Sequence, residues 1–247
     1  MWVKVPALIF WIFVALYLIG AVVVSLYSRY MKRKDKLYSS TKKNEATTIN
    51  PQNVHPTKQN VLIVLFRRIK PYLYGLTRYY SIIVGKIPSH HVRVFLLKLL
   101  FKMNIDKQAV IYGGFEMRSP WNITIGASVI GVGALLDGRC GIEIGDDVTL
   151  AQNVSIFTLQ HDLNDEMFRT NNKGGKVTIE KWAWISSNTT ILPGVCVRTG
   201  AVLASGGIAT KELDSYSVYG GIPARKIAER NHNLKYSLAN NDYWHFY

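Results

Sequence analysis

Aliphatic side chains return at every sixth position over two stretches of this chain. They form a first run and then a second: Ile144, Leu150, Ile156, and Ile179, Ile185, Ile191, Val197, Leu203. Four residues further on, a small or β-branched residue recurs: Val148, Val154, Ala183, Thr189, Val195, Ala201, Gly207. Helices repeat near 3.6 residues and half-buried strands near 2, so neither explains this period. The pattern predicts a parallel β-helix, in which three short flat sides form one triangular coil and coils stack.

Residues 157–178 interrupt this period between the two runs. A coil must close on itself, so we expect the insertion to be expelled as a surface loop. Near its start stand Gln160, His161 and Asp162, and His161 is the one histidine of the coiled region. A histidine at the base of an expelled loop is the first candidate for catalysis.

The N-terminal residues 5–28 carry no charge. This uncharged segment is long enough to span a bilayer as a helix. A cleaved signal peptide fits less well, because the run is too long and no small-x-small site follows. Trp2, Trp11 and Tyr27 are placed to lie near the interfaces. The basic residues cluster after the apolar run, so the positive-inside rule predicts a single-pass inner-membrane protein with its catalytic domain in the cytoplasm.

The predicted fold class is mainly β: a parallel β-helix with an N-terminal transmembrane helix and a helical segment before the coil. Five segments follow from composition: a transmembrane anchor (1–28), a basic juxtamembrane segment and flexible linker (29–60), a helical segment (61–107), the β-helix (108–223), and a C-terminal helix with a tail (224–247). The helical segment either caps the coil or lies in the headgroup region of a membrane. The linker prediction begins at Ser39, and the aromatic end 243–247 is either frayed or packed on a neighbour.

Thirty Lys and Arg against 16 Asp and Glu give a formal net charge of +14. Such a balance suits nucleic acid, a membrane surface or an anionic substrate. The basic residues follow the apolar run rather than covering the folded platform, which favours a membrane lipid partner and no nucleic acid. Cys140 and Cys196 lack CxxC spacing and are expected to be free thiols. No histidine cluster indicates a metal.

Seven segments of the coil together resemble the hexapeptide-repeat O-acetyltransferases, with the nearest likeness to the capsule- and colanic-acid-type sugar acetyltransferases. They are the stretches 118–126, 136–139, 160–162, 184–187, 191–195, 209–211 and 220–225. The left-handed hand of the coil is implied by this resemblance, since parallel crossovers are otherwise nearly always right-handed. The resemblance also implies a homotrimer with active sites between subunits.

Site residues follow from the same resemblance. His161 matches the general base, and a positioned imidazole typically contributes ~10²–10⁴-fold to such a transfer. Asp137 matches the carboxylate that orients the acceptor sugar, although an Asp-Gly turn residue is an equally good interpretation. The backbone N–H of Ser187 matches the oxyanion site. Acetyl-CoA, the implied co-substrate, would contact Trp184, Ser205, Gly206, Thr210, Lys211 and Arg225.

These observations predict an acetyl-CoA-dependent O-acetyltransferase acting on a sugar hydroxyl of a polysaccharide or glycolipid precursor at the cytoplasmic membrane face. Two alternatives stay open: an N-acetyltransferase for an amino sugar, and a non-enzymatic scaffold at the membrane. A zinc enzyme would need several coil histidines around one metal, and the coil supplies only His161.

Overall fold

A computed structural model of the chain describes residues 4–44, 61–170 and 173–238. Its helices are α1 (Lys4–Asn44), α2 (Val61–Gly85) and α3 (His90–Phe101). The strands are short: β1 (Asn104–Ile105), β2 (Val110–Ile111), β3 (Glu116–Arg118), β4 (Ile123–Ile125), β5 (Val129–Ile130), β6 (Leu135–Asp137), β7 (Ile142–Ile144), β8 (Thr149–Leu150), β9 (Ser155–Ile156), β10 (Val177–Ile179), β11 (Trp184–Ile185), β12 (Thr190–Ile191), β13 (Cys196–Val197), β14 (Val202–Leu203), β15 (Ile208–Ala209), β16 (Ser217–Gly220) and β17 (Arg225–Glu229). Trp2, most of the predicted linker and the aromatic end 243–247 lie outside the described residues.

Every third strand along the coil pairs in parallel, which produces three flat sheets. The first sheet has the order β1-β4-β7-β10-β13, the second β17-β16-β14-β11-β8-β5-β2, and the third β15-β12-β9-β6-β3. Ile179 pairs with Val197, and Ile185 pairs with Leu203, so three six-residue units make one coil and residues eighteen positions apart are neighbours. The predicted parallel β-helix is therefore confirmed.

The repeated aliphatic residues form the core of the coil. All eight members of the two runs are at most 1% exposed. The small or β-branched residues between them are buried at the corners, where the Thr189 hydroxyl donates to the Ser186 carbonyl at 2.8 Å. Side chains that stack on their own equivalents fill the interior at close-packed density, so the period in the sequence is a packing requirement.

Helices α2 and α3 close the N-terminal end of the coil. Helix α3 begins after Ser89, whose hydroxyl accepts from the Val92 N–H, and it buries Leu97 and Phe101 completely. Its Arg93 guanidinium is also buried and donates to the Ile111 carbonyl at 2.8 and 3.0 Å. These contacts cover the open sheet edge, which would otherwise present unpaired backbone groups. The opposite faces of the two helices expose large apolar side chains: Leu65, Ile69, Tyr72, Tyr79, Val92, Phe95, Leu99.

Helix α1 extends beyond the predicted anchor and makes residues 39–44 of the predicted linker helical. It runs without a break from Lys4 to Asn44, so the basic segment is helical. Its second half packs against the rest of the fold. Val24 and Tyr27 are buried, and the Asp35 carboxylate accepts hydrogen bonds from Trp121 Nε1 at 3.0 Å and Asn122 Nδ2 at 2.9 Å in the coil. These contacts keep the helix ordered beyond its apolar part. Within it, 9–37 is long and apolar enough to cross a membrane.

The C-terminal segment corrects a second prediction. The helix expected over residues 224–230 is instead strand β17, antiparallel to β16, with Val218 paired to Ala228. Strand β16 is the last parallel strand of its sheet, and its outer edge needs partners. That requirement overrides the weak helical preference of a short segment.

Candidate functional site

The expelled loop of residues 157–176 leaves the coil after β9 and returns at β10. Its two ends pair, with an antiparallel bridge between Leu159 and Gly174 and a 2.9 Å bond from Gly175 N to the Thr158 carbonyl. The Thr158 hydroxyl also donates to the Asp137 carbonyl at 2.6 Å and accepts from Cys140 N at 2.9 Å. The loop base is thus fixed to the preceding coil. The predicted expulsion is confirmed.

The far end of the loop is organised by Asp165. One of its oxygens accepts from the backbone N–H groups of Met167 and Arg169 at 2.9 and 3.0 Å. The Arg169 guanidinium binds both carboxylate oxygens, the shortest contact being 2.8 Å. Across the loop, Asp162 N donates to the Arg169 carbonyl at 2.8 Å. This tight turn brings Phe168 back over the loop base.

His161 lies flat against Phe168. Their ring centroids are 4.2 Å apart with an interplanar angle of 4°. Nδ1 of His161 is 2.5 Å from the Phe168 carbonyl oxygen. A carbonyl can only accept, so Nδ1 carries the hydrogen, and in the neutral ring Nε2 holds the lone pair. The side chain is exposed. The loop therefore presents an oriented imidazole base to solvent.

Asp162, the neighbour of His161 in the sequence, does not orient the ring. Its carboxylate instead accepts from the Asn164 N–H at 3.1 Å. The orienting group is the Phe168 carbonyl, seven residues away along the chain. Sequence reasoning missed Phe168, because no periodic or spacing signal links two positions in an irregular loop.

Buried Asp137 and exposed Arg139 form one ion-paired unit beside the loop base. Asp137 has no exposed surface, and both its carboxylate oxygens accept from Arg139, the shortest contact being 2.6 Å. Arg139 Nη2 also donates to the Leu159 carbonyl at 3.2 Å, two residues before His161. The hydrogen bond to Asp137 raises the pKa of Arg139. The group that reaches solvent is the guanidinium, which the sequence-based site did not include.

The other predicted site residues lie at two corners of the coil. At the corner between the second and third sheets, which we call the Ser187 corner, Ser205 and Gly206 stack beside Ser187, and Gly206 N donates to the Ser187 carbonyl at 3.1 Å. Within the described residues, the Ser187 N–H itself donates to no acceptor. It is therefore available to a developing oxyanion.

At the corner between the third and first sheets, which we call the His161 corner, stand the loop base, the Asp137–Arg139 unit, Thr210 and Lys211. Both corners border the outer face of the third sheet. Strand β12 crosses the third sheet between the two corners, so they lie on opposite borders of that sheet. In the described part of the chain, no hydrogen bond, ion pair or ring contact joins the His161 loop to the Ser187 corner.

Trp184 and Arg225 complete the predicted donor site. Trp184 lies in β11 and is 46% exposed on the outer face of the second sheet. Arg225 begins β17, directly after Ala224, whose N–H donates to the Ile208 carbonyl of β15 at 2.8 Å. The residues predicted to contact acetyl-CoA thus lie toward the C-terminal end of the coil, away from the helical cap.

Comparison with known proteins supports the family suggested by the coil. The chain is 33% identical over 100 residues to the galactoside O-acetyltransferase of Escherichia coli strain K12. The aligned region covers 38% of this chain and 47% of that protein. It is 30% identical over 139 residues to a protein of the same strain assigned as the colanic acid biosynthesis acetyltransferase WcaF. That aligned region covers 56% of this chain and 75% of that protein. No protein-family profile matches the chain.

A solved structure shares the fold. The crystal structure of a maltose O-acetyltransferase from Clostridium difficile 630 superposes with a TM-score of 0.57 at 26% identity, covering 66% of this chain and 91% of that one. The match to the galactoside enzyme spans about half of its length, whereas the match to WcaF spans three quarters. The six-residue repeat, the coil and these matches together show that the chain belongs to the family of hexapeptide-repeat acetyltransferases.

Proposed function

We propose that this protein transfers an acetyl group from acetyl-CoA to a sugar hydroxyl of a polysaccharide or glycolipid precursor at the cytoplasmic face of the membrane. The observation that carries the proposal is the bond between His161 Nδ1 and the Phe168 carbonyl. It leaves Nε2 as an exposed lone pair, which is the form that a general base requires.

The proposed reaction uses two groups of this chain. As the sugar oxygen attacks the thioester carbonyl, Nε2 of His161 takes the hydroxyl proton, for a typical gain of ~10²–10⁴-fold. The carbonyl oxygen becomes an oxyanion, and the Ser187 N–H donates to it from a rigid corner. Collapse of the tetrahedral intermediate breaks the carbon–sulfur bond, and the imidazolium returns the proton to the departing CoA thiolate.

The names of the relatives favour a sugar acceptor and transfer to oxygen. The galactoside and maltose enzymes are both described as O-acetyltransferases, and WcaF is assigned to colanic acid biosynthesis. We propose the same class of acceptor for this chain. Transfer to the nitrogen of an amino sugar is the competing outcome, and the product distinguishes the two.

The spacing of the two corners supports a homotrimer. The base and the oxyanion donor must lie within a few ångströms of one reacting carbonyl. In one chain they stand on opposite borders of the third sheet. We propose that His161 of one subunit works with the Ser187 corner of its neighbour. Acetyl-CoA then lies between subunits against Trp184, Ser205, Gly206, Thr210, Lys211 and Arg225.

Asp137 takes a revised role in this proposal. Its carboxylate is enclosed by Arg139, so we propose that it positions the Arg139 guanidinium rather than touching the sugar. Arg139 then faces the acceptor from beside the His161 loop. The Asp137→Asn substitution should lower kcat/KM for the acceptor more than for acetyl-CoA. The substitution removes the carboxylate charge that holds the Arg139 guanidinium in place beside the acceptor.

The direct test is thiol release from acetyl-CoA by the full-length protein in detergent, supplied with candidate glycans. His161→Ala should slow acceptor-dependent release by ~10²–10⁴-fold with little change in acetyl-CoA binding. Met167→Ala, an exposed residue in the same loop, is the matched control. Equal rates for wild type and His161→Ala would remove the proposed base.

The chemistry of the product completes the test. An O-ester is lost in mild alkali, whereas an amide survives and would establish N-acetylation. A protein that fails to bind acetyl-CoA at all would favour the non-enzymatic scaffold.

A further inference from the structure

An apolar groove of about 290 Å³ lies between α1 and α2. The helices run antiparallel there, because Tyr30 packs on Phe66 at one end, with ring centroids 5.4 Å apart, while Tyr17 packs on Tyr80 at the other, at 5.4 Å. The groove is lined almost wholly by apolar atoms of six residues: Val23, Leu26, Tyr27, Tyr30, Phe66, Leu73. Its α1 wall continues the surface of the segment that is apolar enough to cross a membrane. Hydrocarbon therefore has direct access to the groove.

A cluster of guanidinium groups lies next to the inner end of the groove. Three guanidiniums stand against two carboxylates: Arg78, Arg118, Arg139, and Glu116, Asp137. Arg118 and Asp137 are directly paired in neighbouring strands, which places the cluster on the outer face of the third sheet. Arg118 uses its Nε for Glu116 at 3.0 Å, and Arg139 uses Nε and Nη2 for Asp137. In the described residues, the remaining terminal nitrogens are available to an anion.

Side chains connect the groove to this cluster and to the catalytic loop. Tyr27, in the groove wall, packs edge-on against Trp121 of the coil at 5.6 Å. Tyr74 follows Leu73 of the groove; burial raises the pKa of its phenol, and the nearby Arg139 charge opposes that shift. Arg139 in turn binds the Leu159 carbonyl at the base of the His161 loop. An apolar groove, an arginine cluster and the imidazole thus follow one another in space.

We propose that this track binds a lipid-linked sugar acceptor, with its single hydrocarbon chain in the groove and its phosphate on Arg118 and Arg139. Planar guanidinium groups match phosphate oxygens in charge and geometry. The sugar beyond the phosphate then extends toward His161. This inference rests on the proposed function, since it names the class of acceptor for the same site. A bulk phospholipid also carries a phosphate, but it would not require the arginine cluster to be attached to the His161 loop through Arg139 and the Leu159 carbonyl.

The test measures binding by the full-length protein in non-ionic detergent, with a polyprenyl monophosphate as the probe. The matching polyprenyl alcohol lacks the phosphate, and phosphatidylglycerol represents bulk lipid. We expect the monophosphate to bind at least tenfold more tightly than either. Leu73→Trp fills the groove, and Arg118→Gln removes one phosphate contact, so each should weaken that binding at least tenfold. Tyr72→Trp, 79% exposed on the same helix, should not change it.

The binding results distinguish a specific acceptor site from an ordinary lipid contact. Equal affinity for phosphatidylglycerol and the monophosphate would identify the groove as an ordinary lipid contact and overturn the proposal. Unchanged binding by Arg118→Gln, whose partner residues lie outside the groove, would overturn the phosphate subsite even if Leu73→Trp failed to fold. Binding of acetyl-CoA to the same protein is measured in parallel. If acetyl-CoA does not bind while monophosphate binding persists, the proposed function falls, and the reverse result overturns the lipid track alone.

Discussion

At the scale of single residues, the His161 ring is fixed by a backbone carbonyl and by stacking rather than by a carboxylate. The Phe168 backbone has a φ of 51°, a left-handed conformation that is uncommon for a large side chain. The bonds that Asp165 makes to the turn hold it there. Backbone strain of this kind persists where surrounding contacts impose it, and such places are often functional.

Truncating the stacked ring tests whether orientation matters. Phe168→Ala keeps the carbonyl that binds Nδ1 but removes the surface on which the imidazole rests. We expect kcat to fall about 10- to 100-fold with little change in KM for acetyl-CoA, because a small misplacement of the base is costly. Phe168 is 62% exposed, so the melting temperature should hardly move. Steady-state kinetics that match the wild type would show that the carbonyl alone suffices.

Two glycines offer a matched pair for stability. A Cβ at Gly131 would lie 2.4 Å from the Ala151 carbonyl oxygen, whereas a Cβ at Gly75 of α2 would meet nothing within 4 Å. Gly131→Ala should destabilise the coil by about 1–3 kcal/mol, because the backbone of the next coil must move. Gly75→Ala should stabilise by about 0.5–1 kcal/mol, since it favours the helix. Thermal denaturation of both proteins measures the contrast, and equal shifts would contradict it.

At the scale of elements, α1 joins in one helix two segments that the sequence pattern assigned to separate units. Its 41 residues extend about 60 Å, roughly twice the ~30 Å hydrocarbon thickness of a bilayer. One part is therefore long enough to span while the other docks on the coil through Asp35 and Tyr27. The same continuous helix would hold the coil in a fixed orientation to the membrane.

The attachment of α2 to the coil should depend on pH through Glu116. Burial alone would raise the pKa of Glu116, but hydrogen bonds from Arg78 and Arg118 outweigh it, so the pKa is lowered. A lowered folded pKa contributes stability above the ordinary value of about 4.3, and that stability is lost as pH falls through the folded pKa. Glu116→Gln should therefore melt below wild type at pH 7.

The difference between the two melting temperatures should narrow as the pH falls below about 4.3. Glu143→Gln, which removes a half-exposed surface pair with Lys176, is the control and should show little change at either pH. A difference for Glu116→Gln that stays constant across the range would contradict this role.

At the scale of the whole molecule, the two proposed catalytic groups, His161 and the Ser187 N–H, belong to opposite borders of one flat sheet. In the proposed trimer, the His161 corner of one chain would lie against the Ser187 corner of another. Light scattering in detergent should give a protein mass three times 27.9 kDa. Mixed trimers of His161→Ala and Trp184→Arg, each inactive alone, should regain part of the activity. A monomer, or mixtures that stay inactive, would contradict shared sites.

Membrane orientation is also a property of the whole chain. The basic residues follow the apolar segment, which predicts a cytoplasmic coil. Protease added to sealed, right-side-out inner-membrane vesicles should leave the coil intact, and detergent should expose it to cleavage. Digestion before detergent is added would reverse the topology.

The sequence by itself determined the coil, its expelled loop and the candidate base. Within the uninterrupted second run, inward residues eighteen positions apart, such as Ile179 and Val197, pair in neighbouring coils, so a local period specifies the packing. The family resemblance on that coil was confirmed as well.

Only the tertiary structure decided the remaining features, because they depend on partners with no periodic relation in sequence. Segment 225–229 became a strand since the edge of β16 needed one, and α1 stayed helical to Asn44 while its second half docked on the coil. The pairing of His161 with Phe168 arises in the same way. Periodicity specifies contacts between equivalent positions, whereas contacts between unlike segments are chosen by the folded surface that they meet.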